Sequence, residues 1–152
     1  MVDLERKLTA ILAADVVSFS KYMSQDEEGT LGLVKRLETE ILTPIVKEHN
    51  GKIFKKMGDG YLVDFPSVVG ALKAAIDIQN SLQSTALSYP DNVALELRIG
   101  VNSGDVIIAD EDIYGDGVNF AVRVQSICNP NAIAISAKVH QEIQGKLAEE
   151  FV

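Results

Sequence analysis

Polar and apolar residues along this chain repeat with two different periods, and the changes between them mark out its elements. From Lys7 to Val17 apolar and β-branched residues run almost unbroken, which predicts a first strand. Leu31, Val34, Leu37, Ile41, Leu42 and Ile45 then recur at steps of three and four, so a long helix is expected, capped by Asp26 and ending at His49-Asn50-Gly51. Lys52 to Lys56 and Tyr61 to Phe65 read as strands joined across Met57-Gly58-Asp59-Gly60, where Asp-Gly is a hairpin signal. Ser67 can cap a second helix with Val68, Leu72, Ala75, Ile76, Ile78 and Leu82 on its apolar side, closed by a loop around Tyr89-Pro90-Asp91-Asn92. Strict alternation from Leu95 to Ile99 predicts a fourth strand, and Asp105 to Ala109 a neighbouring strand after Ser103-Gly104.

The order βαββαβ is a split βαβ unit, which places a mostly antiparallel sheet under helices packed on one face and makes the class α+β. Beyond it, Asp116 is expected to cap a helix from Gly117 to Ile127. Asn129-Pro130-Asn131 breaks that helix, Ala132 to Ile135 reads as a short strand, and Ser136 caps a last helix reaching Leu147.

Composition narrows the function. At 152 residues, 47% of them hydrophobic and 24% charged, the chain fits a single globular domain at about 100 to 200 residues per domain. With 14 basic against 22 acidic residues its net charge is −8, which repels a phosphate backbone and argues against nucleic-acid binding. An anionic ligand would need local basic residues or a divalent cation to offset that field. The lone Cys128 forms no internal disulfide, as expected of a cytoplasmic protein, and reads as a small buried hydrophobe. No apolar run approaches the roughly 18 residues that span a membrane. Arg6 and Lys7 before Leu-Thr-Ala-Ile-Leu-Ala-Ala imitate a signal peptide, but Asp3 and Glu5 spoil its positive start and the apolar run continues past Asp15 as a strand would.

Several residues stand out from an ordinary core. Asp15 sits among Ala13, Ala14, Val16 and Val17, where an ionised carboxylate is costly unless a cation or hydrogen-bond donors meet it; otherwise it caps the following turn. Asp59 is turn chemistry on its own. In a split βαβ sheet, however, the end of the first strand and the hairpin feeding the third come together, and two converging carboxylates suit Mg²⁺. Lys55 and Lys56 lie close to that acidic tip. Asn119 and Arg123 share one face of an otherwise apolar helix, where the guanidinium is either a surface group or an anion contact. His49 and His140 have no ligand-like spacing to each other or to Cys128, and read as helix-end or surface residues.

Four segments in order, Leu-Ala-Ala-Asp-Val-Val-Ser-Phe-Ser, Phe-Lys-Lys-Met-Gly-Asp-Gly, Leu-Arg-Ile-Gly-Val-Asn-Ser-Gly and Asp-Ile-Tyr-Gly-Asp-Gly-Val-Asn-Phe-Ala-Val-Arg, give the chain a resemblance to the catalytic domain of class III adenylyl/guanylyl cyclases. The resemblance runs through nearly all of the chain. It implies the nucleotide cyclase fold: a ferredoxin-like βαββαβ core with an added C-terminal helix-strand-helix, here as one catalytic domain over residues 1–152.

By this resemblance Asp15, Asp59 and the carbonyl of Val16 would hold two Mg²⁺ or Mn²⁺ ions per site. Lys55 and Asp112 would read the base, and a lysine paired with a carboxylate predicts adenine: the ammonium donates to a ring nitrogen and the carboxylate accepts from the exocyclic amine. Asn119 would orient the ribose, Arg123 would meet transition-state charge, and Arg98 would contact the β- and γ-phosphates. The turn from Val16 through Phe19 to Ser20 would offer N–H groups to the triphosphate. ATP would close to a cyclic monophosphate and release pyrophosphate, in intracellular signalling. The resemblance also implies a homodimer with shared sites, Asp15, Asp59 and Arg98 coming from one subunit and Lys55, Asp112, Asn119 and Arg123 from the other.

Three departures from the family pattern stand out. Ser18 replaces a common glycine, the segment from Gly104 to Asp112 is short for a dimer-clasping arm, and relatives usually continue past Glu150-Phe151-Val152 into a hairpin bearing another phosphate-binding lysine. The rival reading is a weak or inactive module that binds nucleotide, dimerises and relays a signal, with regulatory domains in a longer chain. Guanylate cyclase is disfavoured by Lys55 and Asp112. A palm-type polymerase or diguanylate cyclase shares the scaffold but not the spacing of Asp112, Asn119 and Arg123.

Overall fold

The computed structural model describes residues 4–85, 87–89, 92–110 and 112–144. Strand β1 (Glu5–Val16) lies in the middle of the sheet, antiparallel to β3 (Gly60–Phe65) on one side and to β4 (Leu97–Ala109) on the other. Outside β3 runs β2 (Lys52–Met57), while the far end of β4 pairs with β5 (Asp112–Tyr114), giving the order β2-β3-β1-β4-β5. A short β6 (Ile133–Ile135) pairs parallel to β4 over Ile99, Gly100 and Val101. The mostly antiparallel α+β expectation therefore holds.

The unbroken apolar run of β1 has a simple cause: both of its faces are covered. Ala10, Leu12, Ala14 and Val16 point into the main core, whereas Ile11 and Ala13 point into a smaller cluster on the opposite face. The main core is closed by α2 (Glu27–Leu37), α3 (Thr43–Glu48) and α4 (Val68–Thr85), through Leu37, Ile45, Leu72, Ala75 and Ile78. Burying each of the larger side chains contributes about 1.5–3 kcal/mol. Asp26 caps α2 by accepting from Gly29, Ser67 accepts from Gly70 at the start of α4, and Ser136 accepts from Val139 at the start of α6 (Ala137–Ile143), as the sequence led one to expect.

Four features differ from that expectation. The first helical stretch is divided: α1 (Phe19–Gln25) precedes α2, and a π-helical turn over Glu38–Leu42 separates α2 from α3. No turn occurs at Ser103-Gly104; β4 runs through it as one strand, because Gly104 serves close packing, a Cβ there lying 3.4 Å from the Cα of Gly117. Helix α5 (Asp116–Ser126) begins after Gly115, whose φ of +118° suits glycine, and Asp116 is its first residue with no side-chain cap formed. Finally, α5 does not join the other helices but covers the opposite face of the sheet, with Val118 and Ala121 completing the small cluster. Pro90 and Asp91 of the expected loop, and residues 145–147 at the end of the expected last helix, lie outside the described residues, as do Asp3 and Glu150-Phe151-Val152.

Candidate active site

Strand alternation sends Ala14 and Val16 into the main core and turns Asp15 to the α5 face, beside its cross-strand partner Arg98. Arg98 Nη1 lies 4.0 Å from Asp15 Oδ1, and its Nε donates to the carbonyl of Cys128 at 3.1 Å. The hairpin between β2 and β3 is stitched to the end of β1: Asp15 is opposite Gly60, and the Val16 N–H donates to the Asp59 carbonyl at 3.0 Å. Asp15 and Asp59 are thus neighbours, as the topology predicts.

Asp15 Oδ1 is buried and, among the described residues, has no hydrogen-bond partner. Burial pushes the Asp15 carboxyl above its ordinary value. The Gln125 amide and the Arg98 guanidinium draw it back in part, and the Asp59 charge pushes it up again. A divalent cation answers both needs, giving the orphaned oxygen a partner and offsetting two facing carboxylates. The oxygen-only donor set of Asp15, Asp59 and the Val16 carbonyl suits Mg²⁺ or Mn²⁺.

A second pair forms on the same side of the sheet. Lys55 is opposite Leu62 on β3, a member of the small cluster, and its Nζ lies 4.0 Å from Asp112 Oδ2. The other Asp112 oxygen accepts from the Ile113 N–H at 2.7 Å, which leaves Oδ2 turned to the lysine. Lys56 is engaged elsewhere, with Glu38 at 3.3 Å.

Asn119 and Arg123 are exposed on α5, opposite its buried residues Val118, Ala121 and Gln125. Among the described residues no hydrogen bond or ion pair joins them to Asp15, Asp59 or Arg98. Both line an open cavity of about 760 Å³, shared with Arg6 and Lys138. The structure therefore gathers Asp15, Asp59 and Arg98 into one group and Lys55 with Asp112 into another, and leaves Asn119 and Arg123 facing outward.

Phe19 and Ser20 open α1, directly after Ser18, whose φ of +60° puts a non-glycine residue in left-handed backbone. The Phe19 ring reaches to 4.0 Å from where a Cβ on Gly58 would lie, so this turn packs beside the hairpin that carries Asp59. Helix α1 is anchored by Tyr22, stacked on Tyr89 with ring centroids 3.6 Å apart.

Two further residues escaped the sequence reading. Gly100 has a packing role, since a Cβ there would lie 2.7 Å from the Cα of Gln125. Gln125 is a buried amide beside Asp15. Its signal was a lone polar residue among Ala121, Val124 and Cys128, visible only once α5 was known to face the sheet. Glu48, His49 and Asp77 also bring ligand-type atoms within 4.8 Å of one another; there His49 and Asp77 pair at 2.8 Å, at the end of α3.

Known proteins match this sequence and fold. The model of the adenylate and guanylate cyclase catalytic domain matches residues 5–151. A Rhizobium meliloti protein named "Putative adenylate cyclase 3" is 40% identical over 98% of this chain, which spans 25% of that relative. A Streptomyces coelicolor adenylate cyclase is 28% identical over 92% of the chain, again over only 35% of the relative's length. Among solved structures, an adenylate/guanylate cyclase/hydrolase from Silicibacter pomeroyi superposes with a TM-score of 0.89 at 38% identity, covering 99% of this chain and 87% of the other. The P. aeruginosa adenylyl cyclase CyaB shares the fold at a TM-score of 0.81 and 22% identity, over 95% of this chain and 84% of its own. Sequence and fold together make this chain a member of the class III nucleotide cyclase catalytic domain family.

Proposed function

We propose that this domain is an adenylate cyclase, converting ATP to 3′,5′-cyclic AMP and pyrophosphate at sites shared between two copies of the chain. The observation that carries the reading is the buried, unpartnered Oδ1 of Asp15 beside Asp59. Asp15, Asp59 and the Val16 carbonyl would hold two Mg²⁺ or Mn²⁺ ions, which when bound acidify the ribose hydroxyl and neutralise phosphate charge.

The chain's own residues do the remaining work. Lys55 donates to a ring nitrogen of adenine and Asp112 accepts from its amine. Their charged ends, 4.0 Å apart, lie close enough for one purine edge to engage both. Asn119 holds the ribose so that its 3′-oxygen lines up with the α-phosphorus. As that P–O bond forms, the bond to the oxygen bridging to the β-phosphate breaks and pyrophosphate leaves. Arg123 meets the charge developing on the transferred group, and Arg98 with the N–H groups of Phe19 and Ser20 meets the β- and γ-phosphates.

Two features support a shared site. Asn119 and Arg123 turn away from their own Asp15 and Asp59, and Phe120 and Val122 on the same helix are 45% and 37% exposed, apolar area that a second copy would cover. We read residues 1–152 as a single catalytic domain of a longer cytoplasmic signalling chain.

The test is product formation from ATP and from GTP with Mn²⁺ over a range of protein concentration. ATP turnover, poor GTP turnover and specific activity that rises with concentration are expected. ATP binding without product in the full-length chain would leave a nucleotide-binding dimerisation module instead.

A further inference from the structure

The β2–β3 hairpin delivers Asp59 to the end of β1 and Lys55 to Asp112, yet β2 is the outermost strand of the sheet, with most of its residues exposed and its register shifted between Ile53 and Lys55. Lys55 lies opposite Leu62 on the α5 face, and Lys56 lies opposite Tyr61 on the helix-covered face. A slip of one residue would exchange the two lysines. One carboxylate reaches this hairpin from the helices. Glu38 opens the π-helical turn between α2 and α3, and its side chain is 15% exposed. Its Oε1 accepts from the Tyr61 hydroxyl at 2.9 Å and its Oε2 from the Lys56 ammonium at 3.3 Å, so both oxygens of a costly inward carboxylate are met. Because Lys56 and Tyr61 are cross-strand partners, one side chain holds both strands, one step before the pair Met57 and Gly60 that closes the loop. Leu37, Ile41 and Leu42 around it are buried, which anchors the turn in the main core. Such turns interrupt helices rarely, and often where a side chain has a function.

We propose that Glu38 is a positioning residue for the active site, fixing the base of the β2–β3 hairpin so that Asp59 meets Asp15 and Lys55, not Lys56, faces Asp112. The roles of Asp59 and Lys55 rest on the cyclase reading above; the contacts of Glu38 do not.

The test combines amide hydrogen exchange of the metal-free protein with Mn²⁺ titration by electron paramagnetic resonance in the absence of nucleotide. Glu38→Ala is expected to speed exchange across residues 56–61 about tenfold, through the loss of a hydrogen bond to a charged group. Mn²⁺ affinity should fall about tenfold beside it, as for other groups that orient a ligand. Tyr61→Phe removes the same bond from the strand side and should act in the same direction, with little further loss in the double variant. It carries the test if the alanine variant does not fold. Glu38→Gln, whose amide oxygen still accepts from Tyr61, should restore most of both quantities. Where Asp59→Asn weakens Mn²⁺ binding, wild-type Mn²⁺ affinity in folded Glu38→Ala protein, or a glutamine variant no better than the alanine one, overturns the proposal. If Asp59→Asn leaves Mn²⁺ binding unchanged, the metal assignment of the cyclase reading falls and exchange alone decides: faster exchange in the hairpin upholds the role of Glu38, and wild-type exchange overturns it.

Discussion

The two faces of one sheet have been built to different standards. On one, Leu12, Phe65, Leu97 and Ile99 meet Leu37, Leu72 and Ile78 from the helices, and each of these side chains is at most 1% exposed. On the other, α5 covers a small cluster around Ile11 and Leu62. Beside it lie the acids Asp15, Asp59 and Asp112, with Lys55 and Arg98, a carboxylate oxygen with no hydrogen-bond partner among the described residues, and exposed Phe120 and Val122. The first face satisfies itself within one chain. The second is unfinished in one chain: a partner for the Asp15 oxygen and cover over α5 are what the proposed divalent cation and second copy would supply.

The largest effect that divides the faces is expected at Asp15. Asp15→Asn should cut cyclic nucleotide formation by at least about 10³-fold, more than the loss of one transition-state donor costs. In metal-free protein at pH 7 the same change should raise the unfolding temperature. The folded carboxyl lies above its unfolded value of 3.8, so Asp15 favours the folded state most below that value and loses this contribution as pH rises through the raised one. The gain from Asn should fade as the pH falls toward 4, read by thermal melts across that range. A lower melting temperature at pH 7 would contradict the strain at this position.

Leu72→Ala, in the finished face, should do the reverse: lose about 2–5 kcal/mol of stability in a denaturant titration, with activity per folded molecule preserved. Gly100→Ala belongs to the unfinished face. It forces α5 away from β4 and should cost about 1–3 kcal/mol, with a loss of activity well beyond the loss of folded protein. Ser18→Gly is the mildest. Relief of the left-handed backbone, about 1 kcal/mol, is largely offset by the added freedom of the unfolded chain, so stability should move by less than about 1 kcal/mol.

The sequence carried the finished face well because burial writes itself as periodicity. The unbroken apolar run of β1, the alternation that leads into β4, the helix caps at Asp26, Ser67 and Ser136, and the hairpin at Asp59 were all legible. What it hid was long-range. Gly104 looked like a turn because glycine is ambiguous between bending a chain and admitting a neighbour, and only the position of Gly117 decides. Short α1 has too few residues for a period, and Asp116 looked like a cap where Gly115 takes the special conformation. For the site, the meeting of Asp15 with Asp59 followed from topology, and the approach of Lys55 to Asp112 agrees with the family pattern. Gln125 was invisible because its meaning depends on which sheet face α5 covers.

The central claim, that each active site is assembled from two copies of the chain, is tested most directly by mixing. Asp15→Asn and Arg123→Ala proteins, each inactive alone, are combined in equal amounts under conditions where mixed dimers are shown to form, and cyclic AMP is measured. A shared site predicts recovery to about a quarter of wild-type specific activity, since half the dimers are mixed and each of those carries one intact site. Mixed dimers that form and stay silent would contradict it.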